Sequence, residues 1–498
     1  KPPGFNMPRL APFTQIVGQP YPARILSFRG GVNNSISDED IADNECADAR
    51  NFIPDLNNAG DVVKREGLNR VSTVQSEAIT SIHQGKNANY FTTSTTVRNF
   101  AGTSLASGLT SSGEPDWATF FDNDIFCNGT EIQTSTNGST FAALGGSPPA
   151  FRYLAVHNNF LFGAGHSLGL LRWADIGTVA TWTASNGLTI SNDENNDIIG
   201  LSRFRNVLVV LCRNSFHHVN GFSTPEMSIT YNAYGTGCTS HRSIVVTPFG
   251  LFWWSDSGPT MSLDGFNVEF PGIEKIASTL AGLNKDQYDL VHGVWNPQQK
   301  RVEFYVFNGS TQATVNMAIY YYYNDRTFWI EDGIGASMGS SGLATVSGEA
   351  RAYVGSASTT GYLFYQDPAV LTDDGTVITG YLDTKRDHAK TDSATIKRMR
   401  SSEVNAVITG NTSVTFGAYW DESVNISQTW PVTLDATEGF ILGVSLLGVG
   451  ILGSGAALDK EVIGINRRYG RVKFRVTDSN ALRTRYRNVI HRGSIVSA

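Results

Sequence analysis

Cysteine is scarce in this chain of 498 residues, and its few copies lie far apart. The four cysteines, Cys46, Cys127, Cys212 and Cys238, form no CxxC pair and no cluster with histidine. This pattern excludes a disulfide-framework protein and a cysteine-based zinc module. We expect four reduced thiols that pack in the interior.

Long hydrophobic runs are also missing. The longest largely apolar stretch is residues 440–452, and four glycine or serine residues interrupt it. Since a membrane-spanning helix needs about 20 apolar residues, we expect no stable membrane insertion. Residues 1–4 (Lys-Pro-Pro-Gly) do not open a secretory signal peptide. We therefore expect a soluble protein that is made in the cytoplasm.

An excess of positive charge is absent. The formal net charge is −7 and the isoelectric point is about 5.8. Strong nucleic-acid binding depends on neutralising phosphates, so this balance argues against it. Residues 371–498 carry 16 basic and 13 acidic side chains, whereas residues 1–370 carry 22 and 32. The acidic excess therefore lies entirely in the first 370 residues.

No catalytic constellation can be placed from the sequence. Glycoside hydrolysis usually needs two facing carboxylates, and no such pair is recognisable. Residues 135–141 (Ser-Thr-Asn-Gly-Ser-Thr-Phe) resemble the Asp-box turn of sialidases, with Asn137 in place of the acid and Phe141 in place of the tryptophan. Such turns stabilise blades and are not catalytic. We expect no enzyme activity and no cofactor.

Three polar patterns could in principle hold a metal ion. Residues 55–60 with Glu66, and residues 193–197, resemble calcium-binding loops, but neither has flanking helices. Asx-rich turns are the favoured interpretation of both. His217 and His218 are adjacent, so on a strand they point to opposite faces and cannot easily share one ion. We expect one of them to be packed and the other exposed.

The pattern that is present is an architectural repeat. Glycine is abundant, with 50 copies, as expected of a chain with many turns. Seven times between residues 80 and 366, an apolar run meets a tight polar turn and a second apolar run follows. The seven turns lie at Asn87, Asn123, Asn158, Asn206, Gly250, Gln298 and Glu349. Their separations of 36, 35, 48, 44, 48 and 51 residues match the length of a four-stranded propeller blade. Residues 76–370 are thus predicted to form a β-propeller of about six to eight blades.

Aromatic residues support this prediction. Seven of the nine tryptophans lie between residues 117 and 329, where they can fill the space between neighbouring blades. Residues 320–323 are four consecutive tyrosines, which we interpret as a strand buried on both faces or at a subunit contact rather than a sugar-binding platform. One helix is predicted at residues 273–283, from its apolar spacing.

Residues 1–75 form the first predicted segment. Six prolines lie within residues 1–36, which we interpret as an extended arm that needs a neighbour to become ordered. Ser37 precedes three acidic residues, a pattern that predicts a short helix to about residue 50. Residues 51–65 are predicted to form a hairpin.

Residues 371–498 form the last predicted segment, a β-sandwich of alternating strands. Leu-Gly pairs recur every five residues at 442–453, which favours buried strands or a curled hairpin over a membrane-active segment. The segment also contains the concentrated basic charge of the chain, for which two interpretations stay open, a solvated strand face and a match to an acidic neighbour. The residues of this basic cluster are Lys385, Arg386, Lys390, Lys397, Arg398, Arg400, Arg467, Arg468, Arg471, Arg483, Arg485, Arg487 and Arg492.

Several stretches resemble the tail nozzle proteins of short-tailed bacteriophages, also described as tail tube B or packaged-DNA stabilisation proteins. The opening resembles theirs at residues 28–33 (Phe-Arg-Gly-Gly-Val-Asn), 47–52 (Ala-Asp-Ala-Arg-Asn-Phe) and 64–67 (Lys-Arg-Glu-Gly). Residues 173–175, 181–183, 197–200, 237–238 and 254–258 are similar to their propeller blades. The Leu-Gly rhythm and the arginine-rich last strand are similar to their C-terminal domain.

This resemblance implies a structural virion protein. Such a protein forms a ring, expected to be hexameric, at the distal end of the tail beneath an adaptor ring, and fibres or a tip protein attach to it. DNA leaves through the ring lumen without specific binding, which an acidic or neutral pore would allow. The candidate residues for subunit or partner contacts are Arg29, Asn51, Arg65, Arg467, Arg468 and Arg471.

A second interpretation stays open at this point. A receptor- or glycan-binding propeller at a tail tip would act as a monomer or trimer, and a sialidase-like hydrolase is a weaker alternative. The mass of the particle separates the first two, and turnover of a fluorogenic glycoside would reveal the third.

Overall fold

A computed structural model describes residues 20–73, 75–110, 115–191, 193, 195–333, 338–358, 361–389, 395–408, 410–434 and 457–497. The chain forms two compact units. The first, the propeller unit, comprises residues 50–52 and 65–378. The second, the terminal unit, comprises residues 1–49, 53–64 and 379–498. The segment 1–75, predicted as a piece of its own, is therefore divided between the two units.

The propeller unit consists of seven antiparallel sheets among the described residues, here called blades 1 to 7. Blade 1 contains β6 (Ile79–Gln84), β7 (Asn89–Thr93), β8 (Thr96–Asn99) and β9 (Ser104–Ser107). Blade 2 contains β10 (Asp116–Phe120), β11 (Asn123–Cys127), β12 (Ile132–Ser135) and β13 (Ala142–Ala143). Blade 3 contains β14 (Tyr153–His157), β15 (Phe160–Ala164), β16 (Leu170–Trp173) and β17 (Gly187–Thr189). Blade 4 contains β18 (Ile198–Phe204), β19 (Val207–Cys212), β20 (Ser215–Asn220) and β21 (Ser228–Tyr234). Blade 5 contains β22 (Val245–Val246), β23 (Leu251–Ser255) and β24 (Gly258–Ser262). Blade 6 contains β25 (His292–Asn296), β26 (Arg301–Val306), β27 (Met317–Tyr322) and β28 (Thr327–Asp332). Blade 7 contains β29 (Met338–Val346), β30 (Glu349–Ser356), β31 (Leu363–Asp367) and β5 (Gly67–Arg70), and β32 (Thr372–Asp373) and β33 (Thr376–Val377) extend it.

The predicted β-propeller is confirmed, and its seven blades lie within the predicted range. Five of the seven turn positions lie between the first and second strands of their blade, and the other two, Asn123 and Glu349, are the first residues of the second strand. The first strands lie next to one another around the ring, for example β10 beside β14 and β14 beside β18. The repeat in the sequence is therefore the repeat of the blades.

The ring closes between blades 7 and 1. Strand β29 lies beside β6, and the Ser340 hydroxyl donates to the Ile79 carbonyl oxygen at 3.0 Å. A Cβ atom on Gly342 would lie 2.5 Å from the Ile82 carbonyl oxygen, so only glycine fits there. Strand β5 supplies the outer strand of blade 7 by pairing antiparallel with β31. A segment from before blade 1 thus completes the last blade.

Aromatic and aliphatic side chains fill the space between blades. Trp253 of blade 5 stacks on Phe216 of blade 4, with ring centroids 5.4 Å apart. Trp254 is also fully buried, and Tyr320 to Tyr322 lie on a strand buried on both faces. One buried aromatic side chain removes about 150–250 Å² from water, or about 4–6 kcal/mol of transfer free energy. The predicted aromatic packing is confirmed.

Turns with an Asx residue end the third strands of blades 2 and 5. The Asn137 side chain accepts from the backbone of Ser139 at 2.9 Å and of Thr140 at 3.1 Å. Asp264 accepts in the same way from the backbone of Phe266 at 2.7 Å and of Asn267 at 2.8 Å. The segment resembling an Asp box therefore stabilises a blade turn, as predicted.

The terminal unit consists of two sheets. One has the order β3-β4-β40-β35-β38 with β1 beside β40, and the other has the order β2-β34-β39-β36-β37. The strands are β1 (Arg24–Leu26), β2 (Cys46–Arg50), β3 (Phe52–Pro54), β4 (Val62–Lys64), β34 (Gly380–Thr384), β35 (Ile396–Ile408), β36 (Thr412–Trp420), β37 (Gln428–Leu434), β38 (Ala457–Tyr469), β39 (Val472–Asp478) and β40 (Arg485–Ser497). The rings of Phe474 and His491 meet across the two sheets at 5.7 Å. This is a β-sandwich, as predicted, to which the N-terminal segment adds four strands.

The predicted helix over residues 37–50 is wrong. The described residues from 38 to 45 form turns, and β2 follows them. Asp38 and Glu39, which were expected to cap a helix, instead pair with Lys473 at 3.1 Å and with Arg471 at 2.5 Å. Tertiary ion pairs have replaced the helix-dipole interaction. The predicted hairpin at 51–65 is confirmed by the pairing of β3 with β4.

The other predicted helix is confirmed only in part. Residues Ile273–Ile276 form a 3₁₀ turn, and the short helix α1 covers Ala277–Ala281. Further 3₁₀ turns lie at Thr224–Glu226, His241–Ser243 and Lys285–Leu290. Within the described part of the chain, no helix has both the length and the apolarity that a membrane crossing requires. The Leu-Gly segment at 442–453 and Lys390 lie outside the described residues.

Candidate interface residues and a buried charge network

Arg65 is an interior residue rather than an interface residue. Its side chain is 2% exposed and contacts Asp373 through two hydrogen bonds, Nη1 to Oδ1 at 2.9 Å and Nη2 to Oδ2 at 2.5 Å. Its Nε lies 3.0 Å from Glu331 and 3.1 Å from the Asn51 side-chain oxygen. Every donor direction of the guanidinium is thus occupied within the propeller unit, which corrects the expectation of a subunit contact.

Asn51 is likewise buried, with 5% of its surface exposed. Its backbone has a left-handed conformation (φ 59°), which asparagine tolerates better than most residues. Its side-chain oxygen accepts from the Asp332 backbone at 3.1 Å, and its backbone amide donates to the Ile330 carbonyl oxygen at 2.9 Å. Asn51 therefore joins the incoming chain to strand β28 and offers no surface to a partner.

A second buried arginine lies at the centre of the same network. Arg301 on β26 is fully buried and lies over the Tyr320 ring, 3.8 Å from its centroid. Its Nε donates to Glu303 at 2.8 Å, and its Nη2 lies 3.2 Å from Glu66. Gln366 on β31 accepts from the same Nη2 at 3.0 Å. Because Glu66 directly follows Arg65, the two arginine clusters form one network between the chain entry and blades 6 and 7.

This network shifts the protonation of one of its acids. Burial raises the pKa of Glu331 to about 8, although the Arg65 charge acts in the opposite direction. The nearby carboxylates of Asp373 and Glu303 raise the pKa of Glu331 further. Burial by itself lowers the pKa of Arg65, but Glu331 and Asp373 raise it overall. The network thus holds charged arginines and a Glu331 carboxyl that binds its proton more tightly than an ordinary glutamate does.

Sequence reasoning missed this network because charged residues within a strand normally face solvent. A signal was present in residues 301–305, where Arg, Glu and Tyr alternate with Val and Phe. Alternation with period two means that these polar residues share one face of β26. They share that face with Tyr320 and Tyr322 on β27, because Arg301 is paired with Tyr322 and Glu303 with Tyr320. The aromatic rings shield the charges from water.

Arg467 and Arg468 lie on the surface, in agreement with a role as contact residues. Both are exposed on β38 of the terminal unit. Arg467 lies over the Trp420 ring, 5.1 Å from its centroid, which supports its side chain. Arg468 is paired across the strands with Arg398, which is also exposed. Like charges opposite each other on a sheet are destabilising.

The two other candidate residues have different surroundings. Arg471 is half-buried and pairs within the terminal unit with Glu39, at 2.5 Å, and with Glu422. This local pairing explains its position without a partner chain. Arg29 is exposed in the turn that follows β1.

The polar patterns that were considered as metal sites make contacts with neighbouring residues instead. In residues 55–60, the Asp55 carboxylate accepts from the Asn57 backbone at 3.0 Å and from the Asn58 side chain at 2.9 Å. His217 and His218 are both buried, so the expectation that one is exposed is wrong. They contact different neighbours, Tyr231 and Phe266. Among the described residues, no group of three or more potential ligands could hold a metal ion.

The four cysteines are free and buried, as predicted. Burial raises the pKa of both Cys212 and Cys238 to about 12. These thiols therefore stay protonated and unreactive at neutral pH.

A polar cavity of about 250 Å³ lies among the first strands of blades 1, 2, 5, 6 and 7. Burial raises the pKa of Asp116 to about 7 and lowers the pKa of His83 to about 4. The Trp117 ring stacks on His83 at 4.9 Å and on Tyr90 at 5.5 Å, and His83 and Tyr90 are themselves cross-strand partners. Phe126 and Phe141 also contact this indole.

Comparison with known proteins adds little to this geometry. No protein-family model and no curated protein matches the chain. Among solved structures, the WD40 domain of Pan2 from Neurospora crassa is similar, with a TM-score of 0.40 and 6% sequence identity. The match covers 61% of this chain and 96% of that one. This likeness is one of fold and does not extend to function.

Proposed function

We propose that this chain is a structural subunit of the tail ring of a short-tailed bacteriophage, the nozzle through which the genome leaves. One observation carries the proposal. The stretches 47–52 and 64–67, which resemble the opening of tail nozzle proteins, are also the stretches where the backbone passes between the terminal unit and the propeller unit. The resemblance therefore falls on the residues that build the junction of the chain.

This connectivity suits a part that transmits force. The backbone passes between the units after residues 49, 52, 64 and 378, so four covalent connections join them instead of one. The pairing of β5 with β31 and the two salt bridges of Arg65 reinforce the propeller side of these connections.

The charge distribution supports a conduit for DNA. Residues 76–370, which form most of the propeller, carry 14 basic and 23 acidic side chains. An acidic wall repels a passing polyanion, whereas a basic one would retain it through counterion release. DNA would then cross the ring lumen without specific binding, in a particle made in the host cytoplasm and retained in the virion tail.

The exposed arginines of β38 are the proposed contact with an acidic neighbour, either a second copy or another tail protein such as the adaptor ring. On the neighbouring strand β35, Arg468 faces Arg398 and Arg467 faces Met399, so neither arginine faces a carboxylate across this pair of strands. Complementary charge across an interface fixes register and partner choice. The acidic propeller unit of an adjacent copy offers that charge.

Particle mass and shape test the proposal. Purified protein is examined by mass photometry and negative-stain electron microscopy, and rings of about six copies of the 54.0 kDa chain are expected, alone or with an adaptor protein. The double variant Arg467→Glu/Arg468→Glu should lose ring assembly, whereas Arg205→Glu, at an exposed propeller turn, should retain it. A monomer or trimer at micromolar concentration, with or without the adaptor, would instead favour a receptor- or glycan-binding propeller.

A further inference from the structure

A groove lies on one end of the propeller unit, between blades 3 and 4. A cavity of about 360 Å³ extends from Tyr153 and His166 to Asp197, and an adjoining one of about 460 Å³ extends from Asp197 to Arg213. Both volumes lie in the range of about 300–1,000 Å³ typical of small-ligand sites. The two cavities share Asp197 and Ile199, so they form one continuous groove.

Three polar side chains along this groove keep an atom that has no hydrogen-bond partner among the residues that the structure describes. These atoms are Oδ1 of Asp197, Nη1 of Arg213 and Nδ1 of His166. Burial raises the pKa of Asp197, in agreement with a carboxylate that lacks donors. Buried polar atoms are normally paired, so each unpaired one calls for an explanation such as a ligand or a bound water. The groove thus offers a ligand one oxygen acceptor, on Asp197, and two ring or guanidinium nitrogens, on His166 and Arg213.

The walls of the groove are held in place before any ligand arrives. The Asn214 backbone donates to the Asn196 side chain at 2.8 Å, and the Asn214 side chain donates to the Asn195 carbonyl oxygen at 2.7 Å. These bonds join the segment before β18 to the turn between β19 and β20. Arg213 is oriented by its salt bridge to Asp256 at 2.9 Å. A site on fixed elements loses little entropy on binding.

Glycines bring the opposite wall close. Gly169 has φ 61°, and a Cβ atom there would lie 1.9 Å from the Ser191 carbonyl oxygen. Gly165 has φ 81°, and a Cβ atom there would lie 2.7 Å from Cβ of Arg152. The turn between β15 and β16 can therefore carry His166 and the exposed Leu168 to the rim of the groove.

We propose that this groove binds an acidic carbohydrate, a sugar residue that carries a carboxylate as well as hydroxyl groups. Arg213 and the exposed Arg152 attract the carboxylate, and Asp197 accepts from the hydroxyl groups. Tyr153, Ile199 and Leu168 offer apolar surface to the C–H face of the ring. This binding role goes beyond the proposed ring function and does not depend on it.

Other ligand classes satisfy fewer of these groups. An inorganic phosphate or sulfate ion would face the Asp197 carboxylate, and like charges repel. A neutral sugar would leave the charges of Arg152 and Arg213 without a counter-charge from the ligand. A uronic acid supplies hydroxyl donors and a carboxylate within one ring, so it matches both ends of the groove.

Binding of two matched sugars tests the proposal. Methyl β-D-glucuronide and methyl β-D-glucoside, which differ in the carboxylate, are titrated into the full-length protein and followed by isothermal titration calorimetry and saturation-transfer NMR. We expect millimolar binding of the glucuronide, at least fivefold tighter than binding of the glucoside. Equal affinity for the two sugars, or no binding of either at 20 mM, overturns the proposal.

Single variants assign the binding to this groove. Asp197→Asn should weaken binding of the glucuronide at least tenfold, and Arg213→Gln should remove the preference for the glucuronide over the glucoside. Arg205→Gln, in the turn at the opposite end of blade 4, is the matched control and should bind both sugars like the unchanged protein. Unaltered glucuronide affinity in Asp197→Asn overturns the proposal.

Stability measurements separate loss of the site from loss of the fold. Since Oδ1 of Asp197 has no partner in the structure, Asp197→Asn should keep or raise the melting temperature while it weakens binding. A poly-glutamate peptide is titrated in parallel. If the peptide binds this groove and the glucuronide does not, the groove is an acidic-peptide site and the carbohydrate proposal is wrong.

Discussion

Replacement of Arg65 by methionine should strongly destabilise the propeller unit. Methionine fills much of the same volume but removes both hydrogen bonds to Asp373 and the salt bridge to Glu331. Asp373 is 4% exposed, so its carboxylate would remain buried without a counter-charge. Removing one partner of a buried ion pair typically costs about 3–5 kcal/mol.

Uptake of a proton sets an upper limit to the destabilisation of the Arg65→Met variant, and this limit depends on pH. The variant can avoid a buried charge by taking up a proton from solvent, which at pH 7 costs about 4 kcal/mol for an aspartic acid that has the reference value of about 3.9 in the unfolded chain. That cost falls by about 1.4 kcal/mol for each unit of decrease in pH. The destabilisation should therefore be about 3–4 kcal/mol at pH 7 and smaller by about 2–3 kcal/mol at pH 5.

Urea unfolding followed by tryptophan fluorescence measures this effect, because seven of the nine tryptophans lie in the propeller unit. Arg70→Met is the matched control, since exposed Arg70 pairs with Asp374, the residue next to Asp373. The control should leave the free energy of unfolding within experimental error. A loss below about 1 kcal/mol for Arg65→Met at pH 7, or a loss that does not change with pH, would refute the reasoning.

Three further predictions concern protonation and ring closure. A carboxyl whose folded-state pKa is raised to about 8 destabilises the fold as the pH rises from about 4.5 through 8. Glu331→Gln should therefore lose less free energy of unfolding between pH 6 and pH 9 than the unchanged protein does, as urea unfolding at these two pH values would measure. Gly342→Ala should lower the melting temperature well below that of Gly464→Ala, since the added methyl group meets the Ile82 carbonyl oxygen in the first case and nothing within 4 Å in the second; differential scanning calorimetry compares them. Burial lowers the pKa of His83 to about 4, so its stabilising contribution is complete above about pH 6.5 and is lost as the pH falls toward 4. His83→Gln should therefore lose less stability between pH 7 and pH 5 than the unchanged protein does, as measured by urea titration.

The propeller could be predicted because its signal is local. The turn between the first two strands of a blade needs polar or glycine residues, and the strands on either side of it are apolar. This pattern recurs once for each blade, so counting turns was enough to find the ring. In blades 1 to 6, all the strands of a blade are consecutive in the chain.

The closure of the ring could not be predicted in the same way. Strand β5 is only four residues long, and its partner β31 lies almost 300 residues later. Sequence patterns report local periodicity and carry no information on such pairings. For the same reason, residues 1–75 were predicted as one piece, although their strands belong to two units.

The failed helix at 37–50 has a related cause. Ser37 followed by acidic residues satisfies the local rules for a helix start. In the folded chain, Arg386, Lys473 and Arg471 of the terminal unit compete for these acids. Several tertiary ion pairs outweigh a dipole interaction worth about 0.3–1 kcal/mol. The sequence of the local segment contains no sign of these distant partners.

The buried charges at the chain entry have a physical role that apolar residues would not fill. A hydrophobic cluster of the same volume could be equally stable, because desolvation offsets much of the attraction between buried ions. It would, however, tolerate a shifted pairing of the short strand β5 with β31, since apolar contacts have little directionality. Asp373 lies on β32, which pairs with β5 at Leu68, so the two hydrogen bonds from Arg65 to Asp373 form only when β5 keeps its position, and a shift of β5 would leave Asp373 buried without a counter-charge. We infer that the network selects the register in which the seven-bladed ring closes, and that selectivity rather than added stability explains why charge is buried there.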